Sequence, residues 1–132
     1  MRFMIMFRND GHSEVDVPPC LDLAEMGTFI DELSGNGVLL GYEGLKPSEK
    51  GARVRMNGGK RVVMDGPFAE AKELVAGFAL VQVPSREAAV DLAEQFLRIA
   101  GQGSAEVREA FEPAVEAAEL AQTQSVRSAV LA

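Results

Sequence analysis

Two segments of this sequence carry apolar side chains on both faces of an extended strand. In RFMIMFR, from Arg2 to Arg8, phenylalanine and isoleucine alternate with methionine, and in GFALVQV, residues 77–83, Phe78 and Leu80 alternate with alanine and valine. Because successive side chains of a strand point to opposite faces, neither segment has a polar side. Leaving one face in water forgoes about 25 cal/mol for every Å² of apolar surface that burial would remove. A sheet built from such strands therefore needs cover on both sides.

Apolar residues at helical spacing predict two helices between the strands. The first follows Asp22, a candidate N-cap, and the second follows Ser85, which is another. The predicted core residues of these helices are Met26, Phe29, Ile30, Leu33, Ala89, Leu92, Ala93, Phe96 and Leu97. Further strands are predicted at 38–43 and in SAEVREAFE, where Ala105, Val107 and Phe111 fall on one side.

The order of these elements is β-α-β, a hairpin, then β-α-β, which predicts an α+β fold. We expect a ferredoxin-like βαββ(β)αβ sandwich with both helices on one face of an antiparallel sheet. Residues 1–112 are predicted to form this domain, and residues 113–132, rich in alanine and glutamate, a C-terminal helical extension. Since two helices cover one face only, we expect a homodimer packed sheet against sheet.

The hairpin is predicted where ARVRM and KRVVMD flank NGG, because Asn and Gly tolerate positive φ. A two-residue loop would mix Arg61 into the apolar row, so a three-residue loop is expected. Arg53 would then share a face with Asp65 and lie diagonally across from it. The two predicted faces are Ala52, Val54, Met56, Val62 and Met64 against Arg53, Arg55, Arg61, Val63 and Asp65.

Charge and cysteine content narrow the classes of partner. Thirteen basic and twenty acidic side chains give a net charge of −7, which repels phosphate backbones and anionic membranes, so we expect neither nucleic acid nor membrane as partner. The single cysteine, Cys20, forms no internal disulfide, and the apolar run from Phe3 to Phe7 is too short for a signal peptide. The expected location is the cytoplasm.

No cofactor is expected either. The sequence has no nucleotide-binding fingerprint and no phosphate loop. One histidine, His12, and one cysteine fall short of the roughly four N or S ligands that structural zinc takes. His12 is predicted to be a solvated loop residue, and Cys20 an inert, partly buried thiol.

The segment DGPFAEAKE, Asp65 to Glu73, places four charges around a turn. Pro67 biases the preceding residue away from helical geometry, so the strand must end there, and Phe68 is predicted to insert into the core. Two interpretations of Asp65 stay open. It caps the turn by accepting backbone amide protons, or it is a general base or ligand acceptor with Lys72 or an arginine positioning an anion.

Other candidate ligand-binding residues lie in the middle of the chain. GYEGL supplies Tyr42 and Glu43, a phenol and a carboxylate that we expect to line a cleft between sheet and helices. The basic side chains of the hairpin, Arg53, Arg55, Lys60 and Arg61, stand out in an acidic protein. They either bind an anionic ligand or pair with carboxylates, within the chain or across a dimer.

The segments MRFMIMF, GYEGL, GGKRVVMDGPF, LVAGFALVQV and EVREAFE together resemble the DGPF-motif proteins, a branch of the YCII-related family. The resemblance covers nearly the whole chain except the tail. It implies a dimeric α/β barrel made by two ferredoxin-like units. Most members have no assigned activity, some relatives are small enzymes acting on aromatic compounds, and some accompany alternative sigma factors.

The resemblance also implies a His–Asp dyad, of which Asp65 is the one residue carried over. The dyad histidine would lie on the first helix, but residues 21–34 contain none, and Ala71 stands where the commoner motif has threonine. We therefore expect a small-molecule-binding protein, with any acid/base chemistry centred on Asp65. The alternative is a non-catalytic regulatory or protein-interaction module, which deletion of the segment after Glu112 would disable.

Overall fold

Four antiparallel strands and two helices form the body of the molecule, which is described here from a computed structural model over residues 1–8, 23–68 and 75–111. The strand order β2-β5-β1-β6 and the two helices make the ferredoxin-like α+β sandwich expected from the sequence. The elements are β1 (Arg2–Arg8), α1 (Leu23–Gly35), β2 (Leu39–Gly44), a 3-10 turn (Ser48–Lys50), β3 (Ala52–Asn57), β4 (Lys60–Asp65), β5 (Val75–Gln82), α2 (Arg86–Ala100) and β6 (Ser104–Glu109).

The register of the sheet confirms that its central strands are apolar on both faces. Ile5 of β1 lies opposite Ala79 of β5 and Val107 of β6, and all three point towards the helices. The alternate residues of β1 and β5 form the other side, where Met4 pairs with Leu80 and Met6 with Phe78. We call this side the open face and define it by Met4, Met6, Phe78 and Leu80. Neither helix contributes to it.

The core lies between the sheet and the helices, and Phe96 of α2 is at its centre. Its ring meets Phe29 of α1 edge-on at 4.9 Å between ring centroids and Phe7 of β1 at 5.3 Å. It also stacks on Tyr42 of β2 at 5.9 Å. The aromatic contacts therefore join both helices to two strands. The fully or nearly buried residues are Phe3, Ile5, Met26, Leu33, Leu39, Ala79, Val81, Val83, Ala89, Leu92, Ala93 and Phe96.

The predicted start of α2 is confirmed. The Ser85 side chain accepts a hydrogen bond from the Ala88 amide at 3.1 Å, which satisfies one of the amides that the first turn leaves free. The helix ends at Gly101, which adopts a left-handed conformation with φ 83° and donates its amide to the Leu97 carbonyl. In α1, Met26 and Leu33 are buried as predicted, whereas Asp22 lies outside the described residues.

The predicted register of the hairpin was wrong. The loop has two residues, Gly58 and Gly59, with φ of 57° and 81°, so Met56 lies opposite Arg61 and Val54 opposite Val63. Glycine at both loop positions supplies the positive φ that a two-residue loop requires. The prediction relied on burial to keep arginine out of the apolar row, but neither face of this hairpin is buried, so burial does not select the register.

Strands β3 and β4 form a separate two-stranded sheet that extends from the body. We call residues 52–65 the arm. Every residue of its two strands is exposed. Its large apolar side chains are among the most exposed of the described chain: Val54 64%, Met56 64%, Val62 47%, Val63 46% and Met64 52%.

The structure corrects two predictions, that Phe68 inserts into the core and that Phe111 belongs to the last strand. Phe68 is only partly buried and does not belong to the core cluster, because the corner that carries it packs against Ser48 and Arg53 instead. Phe111 lies beyond the end of β6 and is 56% exposed. The predicted C-terminal helix at 113–132 lies outside the described residues, and the division at residue 112 stays a prediction.

Candidate functional site

A cavity of about 410 Å³ lies between the two helices and the sheet. That volume falls within the range of small-molecule sites. Ends of several elements enclose it, and most of its described wall is apolar or aromatic. The lining residues are Phe7, Arg8, Leu23, Met26, Gly27, Ile30, Tyr42, Gly44, Ala76, Gly77, Phe96, Leu97, Ala100 and Gln102.

A register shift in β2 turns Tyr42 towards this cavity. Leu39 and Tyr42 both face the helices although they are three residues apart, because the pairing with β5 is irregular between Leu39 and Gly41. Tyr42 consequently lies opposite Ala79 and stacks on Phe96, nearly parallel at an interplanar angle of 10°. The stacked rings hold one side of the cavity wall in place.

Burial raises the pKa of Tyr42 above its ordinary value of 10.0, because the phenolate loses hydration. At neutral pH the side chain is therefore a phenol with one proton to donate and lone pairs to accept. In a wall that is largely hydrocarbon, such a hydroxyl can recognise a single polar substituent of a bound ring compound.

Arg8 also lines the cavity, at the end of β1, but its guanidinium is held on the other side of the sheet. Its Nη2 donates to Oε1 of Glu106 at 3.1 Å, and Glu106 lies opposite Met6, a residue of the open face. The buried Arg8 Nε makes no hydrogen bond within the part of the chain that the structure describes. Because the Arg8 guanidinium is paired with Glu106, we do not propose that Arg8 binds a charged group of a ligand.

The structure separates the predicted site residues. Glu43 lies opposite Phe78 on the side of the open face and is exposed, whereas its neighbour Tyr42 faces the helices. Asp65, Arg53 and Arg55 are on the arm and do not line the cavity. Lys72 and His12 lie outside the described residues.

Asp65 and Arg53 are not neighbours on one face, contrary to the predicted register. Asp65 pairs with Ala52, and Arg53 pairs with Met64 on the opposite face of the arm. The Arg53 guanidinium carbon lies 4.0 Å from the centroid of the Phe68 ring, a cation–π contact.

The turn after Asp65 is held by other acceptors. The Gly66 amide donates to the Gly51 carbonyl at 3.1 Å, and the Phe68 amide donates to the Ser48 hydroxyl at 3.2 Å. Pro67 has no amide proton. The described amides of this turn, those of Gly66 and Phe68, are thus engaged by acceptors other than the Asp65 carboxylate, and both interpretations of Asp65 stay predictions.

Four residues of the cavity wall, Met26, Ile30, Phe96 and Leu97, were predicted from sequence as core, and Tyr42 was predicted to line a cleft. Phe7 follows the alternation of a strand and Phe96 the spacing of a helix face, and both patterns are the same for a packed core as for a cavity wall. Gln102, in the loop after α2, and Gly27 of α1 carried no signal. One sequence signal for the irregular pairing of β2 is Gly41, beside Tyr42, because a glycine within a strand often marks a bulge.

Two further properties of the described residues bear on function. Among residues 1–8, 23–68 and 75–111, no cluster of three or more His, Cys, Asp or Glu side chains is placed to hold a metal ion. No helix in the same ranges has the length and apolar character needed to cross a bilayer.

Comparison with known proteins agrees with the fold. The model of the YCII-related domain matches residues 1–113. An uncharacterized protein of Rhizobium meliloti (strain 1021) is 42% identical over 65 residues, which are 48% of this chain and 52% of that protein, so the chain spans about half the length of the curated relative it matches.

Among solved structures, a similar fold is found in the 5-chloro-2-hydroxyhydroquinone dehydrochlorinase of Burkholderia phenoliruptrix AC1100 in complex with 2,5-dihydroxybenzoquinone. The TM-score is 0.50, over 85% of this chain and 95% of that one. The sequences are 14% identical, so the likeness concerns the fold alone.

Proposed function

Because the chain belongs to the YCII-related family and contains a cavity between helices and sheet, we propose that it binds a small ring compound there. The observation that carries the proposal is the wall itself. Phe7 and Tyr42 supply aromatic surface, backed by the buried ring of Phe96, and the Tyr42 hydroxyl supplies a polar group among apolar ones. Such a site favours a neutral or singly polar aromatic ligand, since an unpaired charge in an apolar wall would lose its hydration.

A cavity-filling substitution tests the location of the site. Gly27 lines the cavity and has open space where a side chain would project, so Gly27→Leu should fill part of the volume without a clash. Gly35 of α1 also has open space but does not line the cavity, which makes Gly35→Leu the matched control. Thermal shift with a set of hydroxylated aromatic compounds should show stabilisation in the wild type and in Gly35→Leu, and none in Gly27→Leu.

The probe set should also include 2,5-dihydroxybenzoquinone, the compound held by the dehydrochlorinase of similar fold, as an anionic comparison that should stabilise the protein less than a neutral phenol does. Isothermal titration calorimetry on the best probe then gives its affinity for both glycine variants. Equal affinity in Gly27→Leu and in the wild type would place the ligand outside this cavity and contradict the proposal.

We further propose that any acid/base chemistry is centred on Asp65, which lies on the arm and not in the cavity of its own chain, so that it would act on a ligand held by a second copy. Asp65→Asn keeps the shape of the side chain and removes its basicity. Turnover of a bound compound should fall by about 10²-fold or more, with the free energy of unfolding changed little. Turnover unchanged within twofold, or a collapse of stability with no change in turnover per folded molecule, would leave Asp65 a structural residue.

The protein is also proposed to be a cytoplasmic homodimer whose two open faces turn towards each other, giving the dimeric α/β barrel implied by the sequence. Support comes from the paired methionine, leucine and phenylalanine side chains of that face, which the helices do not cover. Burying them between two copies is the isologous arrangement common among soluble oligomers.

A further inference from the structure

The arm is the part of the described structure with the least packing to stabilise it. Both of its faces are exposed along their whole length, and a two-stranded hairpin in water is marginally stable at best. Yet it carries five large apolar side chains with between 46% and 64% of their surface exposed. Exposed apolar side chains grouped in this way usually mark an interaction surface, and the described part of the chain leaves these five uncovered.

The two faces of the arm differ in charge. Val54, Met56 and Val63 share one face with Arg61 and Asp65, whose charges cancel. The other face carries Arg53, Arg55 and Lys60 around Val62 and Met64, and there Arg53 already lies against Phe68 at the base of the arm. The neutral face is therefore the one suited to burial against another surface.

The net charge of the arm indicates which partner its neutral face contacts. The arm holds four basic side chains and one carboxylate, a net charge of +3, in a chain whose formal net charge is −7. The rest of the chain consequently carries −10. Two arms repel each other, whereas an arm is attracted to the acidic remainder of a second copy. In α1, for instance, Glu25, Asp31 and Glu32 are all exposed and no basic residue is present.

We infer that the arm docks on the body of a second copy of this chain, with the face of Val54, Met56 and Val63 turned inward. Each protomer then holds its partner through one arm, and the contact adds to any packing between open faces. The inference does not depend on the ligand cavity. It also brings Asp65, which shares the inward face and does not line the cavity of its own chain, to the surface of the partner, whereas Arg55 stays on the outer face of the arm.

Photo-crosslinking with isotope labelling tests the inference directly. A benzophenone amino acid replaces Val63 in the full-length protein, and an equal mixture of nitrogen-15-labelled and unlabelled chains is irradiated. We expect covalent dimers whose cross-linked peptides join labelled to unlabelled chains. Cross-links confined to one chain would show that the arm folds back on its own body and would overturn the inference. The same probe at Val90, 41% exposed on α2, is the control and should give few dimers.

A substitution test measures the strength of the contact. Val54→Asp places a charge in the neutral face and touches no core residue, so the fold should persist. Analytical ultracentrifugation should show a dissociation constant raised at least about 10-fold, the equivalent of 1.4 kcal/mol. Val90→Asp, the matched control on α2, should leave the constant unchanged. A dimer equally tight in both variants, or a wild type that is monomeric at micromolar concentration, would refute arm docking.

Salt and charge reversal give the final check. If the +3 arm is attracted to an acidic partner surface, rising potassium chloride should weaken the dimer, because exposed charges are screened over about 10 Å at 0.1 M salt. Arg55→Glu lowers the charge of the arm by two and should weaken the dimer at low salt, with a smaller effect at high salt. A dimer strengthened by Arg55→Glu would contradict the inferred complementarity.

Discussion

At the scale of single residues, the cavity wall depends on which of two adjacent side chains, Tyr42 or Glu43, faces the helices. Tyr42 faces the helices and Glu43 the open face, as neighbours in a strand do, and the irregular pairing of β2 with β5 decides that Tyr42 is the one that faces the helices. Sequence alone indicated both residues as candidates without separating them. Which of two adjacent side chains enters a cavity is decided by the register of the strand, and the irregularity at Gly41 is a property of two strands together.

The phenol of Tyr42 provides a direct test of its environment. Its pKa is raised above 10.0 by desolvation, so the folded protein keeps a proton that the unfolded chain loses. The associated stability is complete below about pH 10 and is lost as pH rises through the folded pKa. The chain has one tyrosine and no tryptophan, so the near-ultraviolet absorbance of phenolate reports Tyr42 alone. The titration midpoint should lie above 10.0 in buffer and return to about that value in urea. A midpoint equal in both solvents would show a solvated phenol.

At the scale of elements, most strands and both helices could be predicted because their signals are local. Ser85 begins α2 as its N-cap predicts, and the alternation in β1 and β5 gives both faces of the sheet. The register of the hairpin could not be predicted, because the prediction assumed that one face is buried in the same chain. Two consecutive glycines in the loop were the stronger signal.

The junction between arm and body yields a prediction about Gly66. A Cβ at this position would lie 1.6 Å from the Ser48 carbonyl oxygen, which no rotamer change relieves. Gly66→Ala should therefore move the arm or cost about 3 kcal/mol of stability. Gly51→Ala is the control, because its Cβ would meet the same oxygen at 3.6 Å, an ordinary contact. Urea denaturation and hydrogen exchange of the Phe68 amide should change in the first variant only. Equal behaviour of the two would show that the corner has room to adjust.

At the scale of the whole molecule, one observation made from the sequence persists: the sheet has two apolar faces, and the two helices of the described residues cover one of them. The proposal that a dimer covers the other face rests on the apolar side chains that β1 and β5 carry there. The sequence did not predict that Tyr42 would lie in the cavity while Arg53, Arg55 and Asp65 lie apart from it on the arm. The two groups are close in sequence, but β2 belongs to the four-stranded sheet and β3 to a separate one.

The open face is tested by Leu80→Lys. Leu80 lies between Met4 and Gly41 in the middle of that face, where a lysine in a dry interface would lose its hydration. The variant should be monomeric at concentrations where the wild type sediments as a dimer. Gln82→Lys adds the same charge on the same side of β5, opposite Arg2 at the end of the strand, and should affect association much less. If Leu80→Lys sediments like the wild type, the open face is not part of the interface.

The ring of Phe96 has a further consequence for how this protein can diversify. The same side chain joins Phe29, Phe7 and Tyr42 and forms part of the cavity wall, so its replacement would loosen the fold before it altered ligand preference. New specificities are more accessible at the periphery of the wall, at Gly27, which has open space where a side chain would project, and at Gln102, since neither belongs to the aromatic cluster. Selection for a different compound should therefore accumulate changes at these two positions while the aromatic cluster stays constant.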